Sequence, residues 1–371
     1  MAVLTEEQTM LRDSAREWIA ARSPVTALRQ LRDSGDGRGF DPAVWREMGE
    51  MGWTGVVTPE AHGGSEFGFL GLGLVLEEAG RTLTASPLLS TALVGASALT
   101  LGGSAAQQEA WLPRIASGET VVALAIEETA HHAPDRARTT ARRESDGWRL
   151  DGAKTFVLDG VEADLLLVSA TGPAGVGLWL LDPAAAGVTR TRLATVDSRG
   201  AAALKLEGAH AEPLGAAGEG GGAQVLEQVL DRARAGVAAE MLGTALQAFE
   251  TTLDYLKTRT QFGQLIGGFQ ALQHRAAQMF TQLELTRSCV EEALIALDRG
   301  SNDARALCSL AKAMAGETLH KVSNEMVQMH GGIGMTDQAD MGLYLKRARV
   351  LEAAYGGGAY HRDRYARLMG F

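Results

Sequence analysis

Apolar residues recur at helical spacing at both ends of this chain and switch to strand spacing in the middle. Thr5 with Glu6, Glu7 and Gln8 is a capping signal ahead of Leu11, Ala15 and Trp18, which predicts a first helix. Another helix opens at Asp41-Pro42 and carries Val44, Trp45, Met48 and Met51 until Gly52-Trp53 stops it. The run TPEAHGGSEFG reads as a turn-rich loop, and GLGLVLEEAGRTL and STALVGASALTLGG as two further apolar helices. Trp45, Trp53 and Phe67 read as core. Near Thr120 the period changes. TVVALAIEE is strand-like, and short β-rich runs follow, punctuated by Asp-Gly, Gly-Pro and Asp-Pro. The Ser145-Asp146-Gly147 step between two alternating runs marks a hairpin. Residues ~121–213 therefore read as a small antiparallel β domain, and Pro213 is the last proline. The glycine-rich LGAAGEGGGAQ reads as a flexible connection. Beyond it, helices are expected at ~223–257, ~267–298, ~303–330 and ~337–354, with a short one over His361–Leu368. Long helices in series predict an up-down bundle.

The division expected is 1–120 (N-terminal α-helical domain), 121–222 (middle β domain) and 223–371 (C-terminal four-helix bundle), an α+β chain. A length of 371 residues suits two or three cores. The net charge of -10 argues against a nucleic-acid surface. Cys289 and Cys308 form neither a disulfide framework nor a metal cluster, so a reducing cytoplasm is the expected setting. The N-terminus has no apolar signal region, and no run reaches the roughly 18 apolar residues of a membrane span.

Two stretches carry candidate chemistry. In Arg259–Gln270, RTQFGQLIGGFQ, Phe262, Leu265, Ile266 and Phe269 fall on one helical face expected to be buried, and Arg259, Gln261 and Gln270 add long donors. Gly263, Gly267 and Gly268 each weaken a helix by up to about 1 kcal/mol relative to Ala. Such glycines suit close helix packing or close approach of a ligand. In Gln328–Thr336, QMHGGIGMT, Gly331, Gly332 and Gly334 follow Gln328 and His330 and can turn backbone N–H groups toward an anion.

Together the two stretches resemble the C-terminal domain of acyl-CoA dehydrogenases, and the order helix, MGWTGVVTPEAHGG, helix with EEAGR is similar to the N-terminal domain of that family. The resemblance implies the family's helix–sheet–helix fold. It also implies FAD, with Arg259, Gln261, Phe262, Gln270, Gln328, His330, Gly331 and Gly332 reaching the adenine and pyrophosphate end of a flavin held by the neighbouring subunit. The implied reaction is α,β-desaturation of an acyl-CoA thioester, with electron-transfer flavoprotein as electron acceptor. In most members a glutamate just before the last helix removes the α proton. Here the corresponding turn is Tyr355-Gly356-Gly357-Gly358, so Gly356 occupies the base position. The family's alternative base position, on the first bundle helix, maps to Ala233, beside an Arg234 that matches the family. Asp231 lies about 200° around that helix from Ala233, and Glu352 reads as a helix-end charge.

The ring-side segments also depart from the family. Its Thr-Glu-Pro…Gly-Ser-Asp segment corresponds to Ile126–Asp135, where Ile126 replaces the hydroxyl. Its Trp-Ile-Thr segment corresponds to Phe156-Val157-Leu158. His131-His132 lack a third ligand and read as a solvated turn. The losses fall on groups serving this subunit's own flavin pocket, whereas groups reaching a neighbour's flavin are kept. That split resembles the non-catalytic subunit of heteromeric acyl-CoA dehydrogenases of steroid degradation, paired α2β2 with a related catalytic subunit. The rival readings are a self-sufficient homo-oligomeric flavoenzyme using another base or flavin monooxygenase chemistry, and a binding or DNA-regulatory protein. Retention of both FAD stretches opposes the monooxygenase, and the acidic balance opposes the DNA binder.

Overall fold

The computed structural model describes residues 3–35, 37–215 and 222–371. Most of the glycine-rich connection lies outside the described residues. The chain forms two compact units: 1–29 with 73–84 and 234–371, and 30–72 with 85–233. Three of their four boundaries fall inside helices α2 (Val25–Ser34), α4 (Phe69–Arg81) and α7 (Gly222–Thr258). Secondary-structure content suggests the three-part division at 120 and 222, which stands as a proposal. Compactness follows packing and interleaves the N-terminal helices with both units.

The first unit is helical. Helix α1 (Glu6–Arg22) starts at Thr5, whose hydroxyl accepts from Gln8 N–H at 3.2 Å while the Gln8 side chain accepts from Thr5 N–H at 3.0 Å. Helices α8 (Gln270–Asp298), α9 (Ala304–His330), α10 (Met341–Ala353) and α11 (Gly358–Leu368) follow α7 and fall close to the expected spans. Helix α9 packs against α8, α10 and α11, which explains its many buried positions, including Cys308, Ala311, Leu319, Val322 and Met326. Two buried carboxylates in this unit are paired: Glu240 with Arg347 at 2.6 Å, and Glu78 with Arg16 at 2.8 Å.

The second unit is built on a seven-stranded sheet. Its strands are β1 (Val122–Ala125), β2 (Thr140–Glu144), β3 (Gly147–Leu158), β4 (Leu165–Gly172), β5 (Gly175–Leu181), β6 (Val188–Arg192) and β7 (Ala201–Pro213). The order β1-β4-β2-β3-β7-β5 closes on itself because β5 also pairs with β4. Most pairs are antiparallel as expected, but β1 and β2 both run parallel to β4. The hairpin turns at Ser145-Asp146, with Glu144 opposite Gly147. Trp148 and Trp179 meet inside the closed sheet at 6.1 Å between ring centres, among Leu150, Val168, Leu181 and Leu204. Helices α3 (Pro42–Glu50), α5 (Ala96–Gly102) and α6 (Ala105–Ala116) belong to this unit, as does a π-helix over Leu88–Gly95. Asp41 caps α3, as its sequence predicts, accepting from Ala43 N–H at 2.8 Å. Trp45 and Trp53 are buried. No helix among the described residues is long and apolar enough to cross a membrane.

Candidate functional site

The stretch 259–270 is not the buried helical face its spacing suggests. Thr260–Gln261 (β8) and Gln264–Leu265 (β9) form a tiny antiparallel hairpin, with Thr260 opposite Leu265 and Gln261 opposite Gln264. Its two turn residues, Phe262 and Gly263, have φ of +53° and +79°. Two successive left-handed residues make the tight hairpin turn of primed type, which glycine favours at its second position. The consequence is that Phe262 stands 89% exposed at the tip and Leu265 48% exposed beside it. Only Ile266 of the four is buried, while Phe269 meets the Phe262 ring edge-on at 6.1 Å. The apolar spacing of 3, 4 and 7 was coincident with a turn-forming Phe-Gly pair, and turn geometry prevailed.

The second stretch ends at the same place. Helix α9 stops at His330, and Gly331–Met335 continues as a 3₁₀ turn. His330 is buried; its Nδ1 bonds the Met326 carbonyl at 2.7 Å, and its ring stacks on Tyr255 at 4.3 Å. Burial lowers the His330 pKa, opposed by the Met326 bond. The Tyr255 hydroxyl donates to the His330 carbonyl at 3.4 Å, and Arg259 N–H donates to the Tyr255 carbonyl at 2.9 Å. Tyr255 therefore joins the two stretches, although nothing in its surrounding sequence singles it out. Arg259, Gln261, Phe262, Gln270, Gln328, Gly331 and Gly332 are all exposed around this junction. Ile333 and Met335 add exposed apolar surface. His330 differs from the rest by facing inward.

The turn after α10 takes two successive left-handed residues. Tyr355 has φ +55° and Gly356 φ +104°. Both carbonyls are held: His361 Nε2 bonds Tyr355 O at 3.0 Å, and Lys312 Nζ donates to Gly356 O at 3.1 Å and Glu352 O at 3.2 Å. Lys312 is buried, and its amine meets the carbonyls ending α10, where a helix carries partial negative charge. Burial pulls its pKa down to about 7, against the attraction of Glu352. Arg234 is also buried; one guanidinium nitrogen lies 3.3 Å from the Tyr360 hydroxyl. Glu352 bonds Arg349 at 2.5 Å and His320 at 3.2 Å, a helix-end charge as read from sequence. Asp231 and Ala233 are buried in α7.

On the β unit, Ile126 is buried and Phe156 and Leu158 are half-buried. Phe156 has φ +50° where the β3–β7 register shifts between Lys154 and Val157, so a bulge aims it. Glu127 accepts from Thr155 N–H at 2.8 Å through its carbonyl, while its carboxylate meets His132 Nδ1 at 2.6 Å. Among the described residues, no group of three His, Cys, Asp or Glu side chains converges to hold a metal.

Family models for the N-terminal and C-terminal domains of acyl-CoA dehydrogenases match residues 5–119 and 220–370. The chain belongs to the acyl-CoA dehydrogenase family, an oxidoreductase family whose members are FAD-dependent. Acyl-CoA dehydrogenase FadE27 of Mycobacterium tuberculosis is 30% identical over 89% of this chain and 88% of its own length. Among solved structures, a variant of the Tcur3481–Tcur3483 steroid ACAD superposes with a TM-score of 0.90 at 35% identity, covering 98% of each chain. The ChsE4–ChsE5 complex from Mycobacterium tuberculosis gives a TM-score of 0.91 at 27% identity, covering 100% of this chain and 99% of that one.

Proposed function

We propose that this chain is the non-catalytic subunit of an FAD-dependent acyl-CoA dehydrogenase heteromer of α2β2 form, and that it completes the FAD site of a related catalytic subunit. The observation that carries the reading is the turn at Gly356. The family's base position holds no side chain, its φ of +104° is one that side chains resist, and its carbonyl is bonded to Lys312. The alternative position, Ala233, is equally inert. The residues fit FAD on one side only. Arg259, Gln261, Phe262, Gln270, Gln328, Gly331 and Gly332 are exposed at one junction and can meet a dinucleotide presented from outside the chain. The ring-side positions Ile126 and Leu158 offer apolar side chains where hydrogen bonds to a flavin ring are needed.

Bound FAD supplies the hydride-accepting centre for α,β-desaturation of an acyl-CoA thioester. In this proposal Arg259 and the two glutamines beside the hairpin hold the anionic and adenine portions, Phe262 covers them, and the partner brings the carboxylate base. Electron-transfer flavoprotein takes the electrons. A bulky steroid-type acyl thioester is the proposed substrate class, supported by the likeness to a steroid ACAD and pointing to lipid or steroid catabolism.

The test is visible absorbance of the purified chain, alone and co-expressed with a neighbouring dehydrogenase gene. A colourless lone chain and a yellow complex with about one FAD per pair of chains support the proposal. A lone chain that purifies yellow with about one FAD per chain overturns it, and directs attention to a self-sufficient flavoenzyme.

A further inference from the structure

The β unit contains an anion cradle that the chain fills itself. Arg138 N–H donates to Glu128 Oε2 at 2.6 Å, and the next backbone N–H, of Thr139, donates to Oε1 at 2.8 Å. The Thr139 hydroxyl adds 2.7 Å and Lys154 Nζ 2.8 Å to the same Oε1. Consecutive N–H groups aimed at one anion form a nest, the backbone geometry of many phosphate and carboxylate sites. A hydroxyl and an ammonium complete it here. Lys154 is buried and is held in place from behind by Ser169 Oγ at 3.0 Å and Ile126 O at 3.4 Å. Thr139 sits close because position 152 is glycine: a Cβ there would lie 2.7 Å from the Thr139 Cα. Glu128 and Arg138 also line a cavity of about 380 Å³, with Arg136 and His131 on its wall.

We propose that Arg138, Thr139 and Lys154 build a carboxylate- and phosphate-type anion site, and that the Glu128 side chain is its resident occupant, holding Ile126–Thr139 closed with no small-molecule ligand. The donors outnumber what one surface ion pair needs, and they converge from two parts of the chain, the loop at 138–139 and strand β3 through Lys154, with Ser169 of β4 holding the ammonium from behind. Burial alone would push the Glu128 carboxyl up, yet Lys154, Thr139 and Arg138 hold its pKa at about 2, so the lock stays charged at any physiological pH. An anion from outside can enter only when this carboxylate is removed. The inference concerns this chain alone and is independent of the subunit reading, because its test needs neither flavin nor partner.

The full chain with Glu128→Ala is melted in sodium formate and in sodium chloride at matched ionic strength, with wild type beside it. The site predicts that E128A melts below wild type in chloride, and that formate raises it by roughly 2–4 °C or more, saturably, while wild type does not respond. Amide exchange across 126–139 should speed up in E128A and slow again in formate. Equal melting of E128A in formate and chloride overturns the proposal, as does an equal gain by wild type, which would place formate elsewhere. If E128A does not fold, Glu128→Gln keeps the shape without the charge. It should melt below wild type and recover part of the loss when Lys154→Met removes the stranded ammonium. E128Q melting as wild type, or no recovery in the double variant, overturns the proposal.

Discussion

Lys312 is a buried amine that ties two backbone carbonyls, and its pKa of about 7 lies well below the 10.5 of a free lysine. Between those values the unfolded chain holds a proton there that the folded chain has released. Stability from this group therefore rises as pH increases from about 7 to 10.5, and falls as protonation returns near neutrality. Lys312→Met should flatten that part of the profile while lowering stability overall, because Glu352 O and Gly356 O lose their donor. Urea midpoints of both proteins at pH 7 and pH 9.5 check this, and parallel pH trends would show that the amine is not the responsible group. Gly356 sits on the same carbonyl. Its φ of +104° strains any other residue, so Gly356→Ala should cost about 1–3 kcal/mol. Gly356→Glu should meet the same strain and leave the lone chain without dehydrogenase activity. Desaturation by that variant would mean the ring-side positions had been misread.

At the scale of elements, the β8–β9 hairpin separates stability from function. Phe262 is 89% exposed, so Phe262→Ala should change stability by no more than about 0.5 kcal/mol. The same change should weaken FAD retention by the co-expressed complex, measured as flavin lost on gel filtration, since a large aromatic contact area disappears. Unchanged retention would remove the hairpin from the cofactor site. Sequence spacing placed Phe262, Leu265, Ile266 and Phe269 on a buried helix because both a hairpin and a helix can satisfy that short run. The conflict was resolved by Phe262-Gly263 adopting left-handed conformations and by Ile266 N–H bonding back to the Arg259 carbonyl at 2.9 Å. By contrast, α8, α9 and α11 carry long periodic stretches, and their expected spans lie within a few residues of the observed ones.

The whole molecule interleaves its N-terminal helices with both compact units. Local sequence carries the identity of the helices and strands, the caps at Thr5 and Asp41, the turn at Ser145-Asp146, and the glycines of the turn at Gly356, because each depends on neighbours a few residues away. Both motif stretches were legible for the same reason. Tertiary structure alone decided that Tyr255 stacks on His330, that Lys312 and Lys154 are buried on carbonyls and a carboxylate, and that β5 closes the sheet onto β7. These partners lie tens of residues apart, and a lysine's own sequence context does not tell whether its ammonium meets water or a buried acceptor. The family and the two motif stretches are therefore written along the chain, whereas the exposed rim, the locked Gly356 turn and the self-filled anion cradle come from long-range packing, where distant backbone groups must find partners once water is excluded.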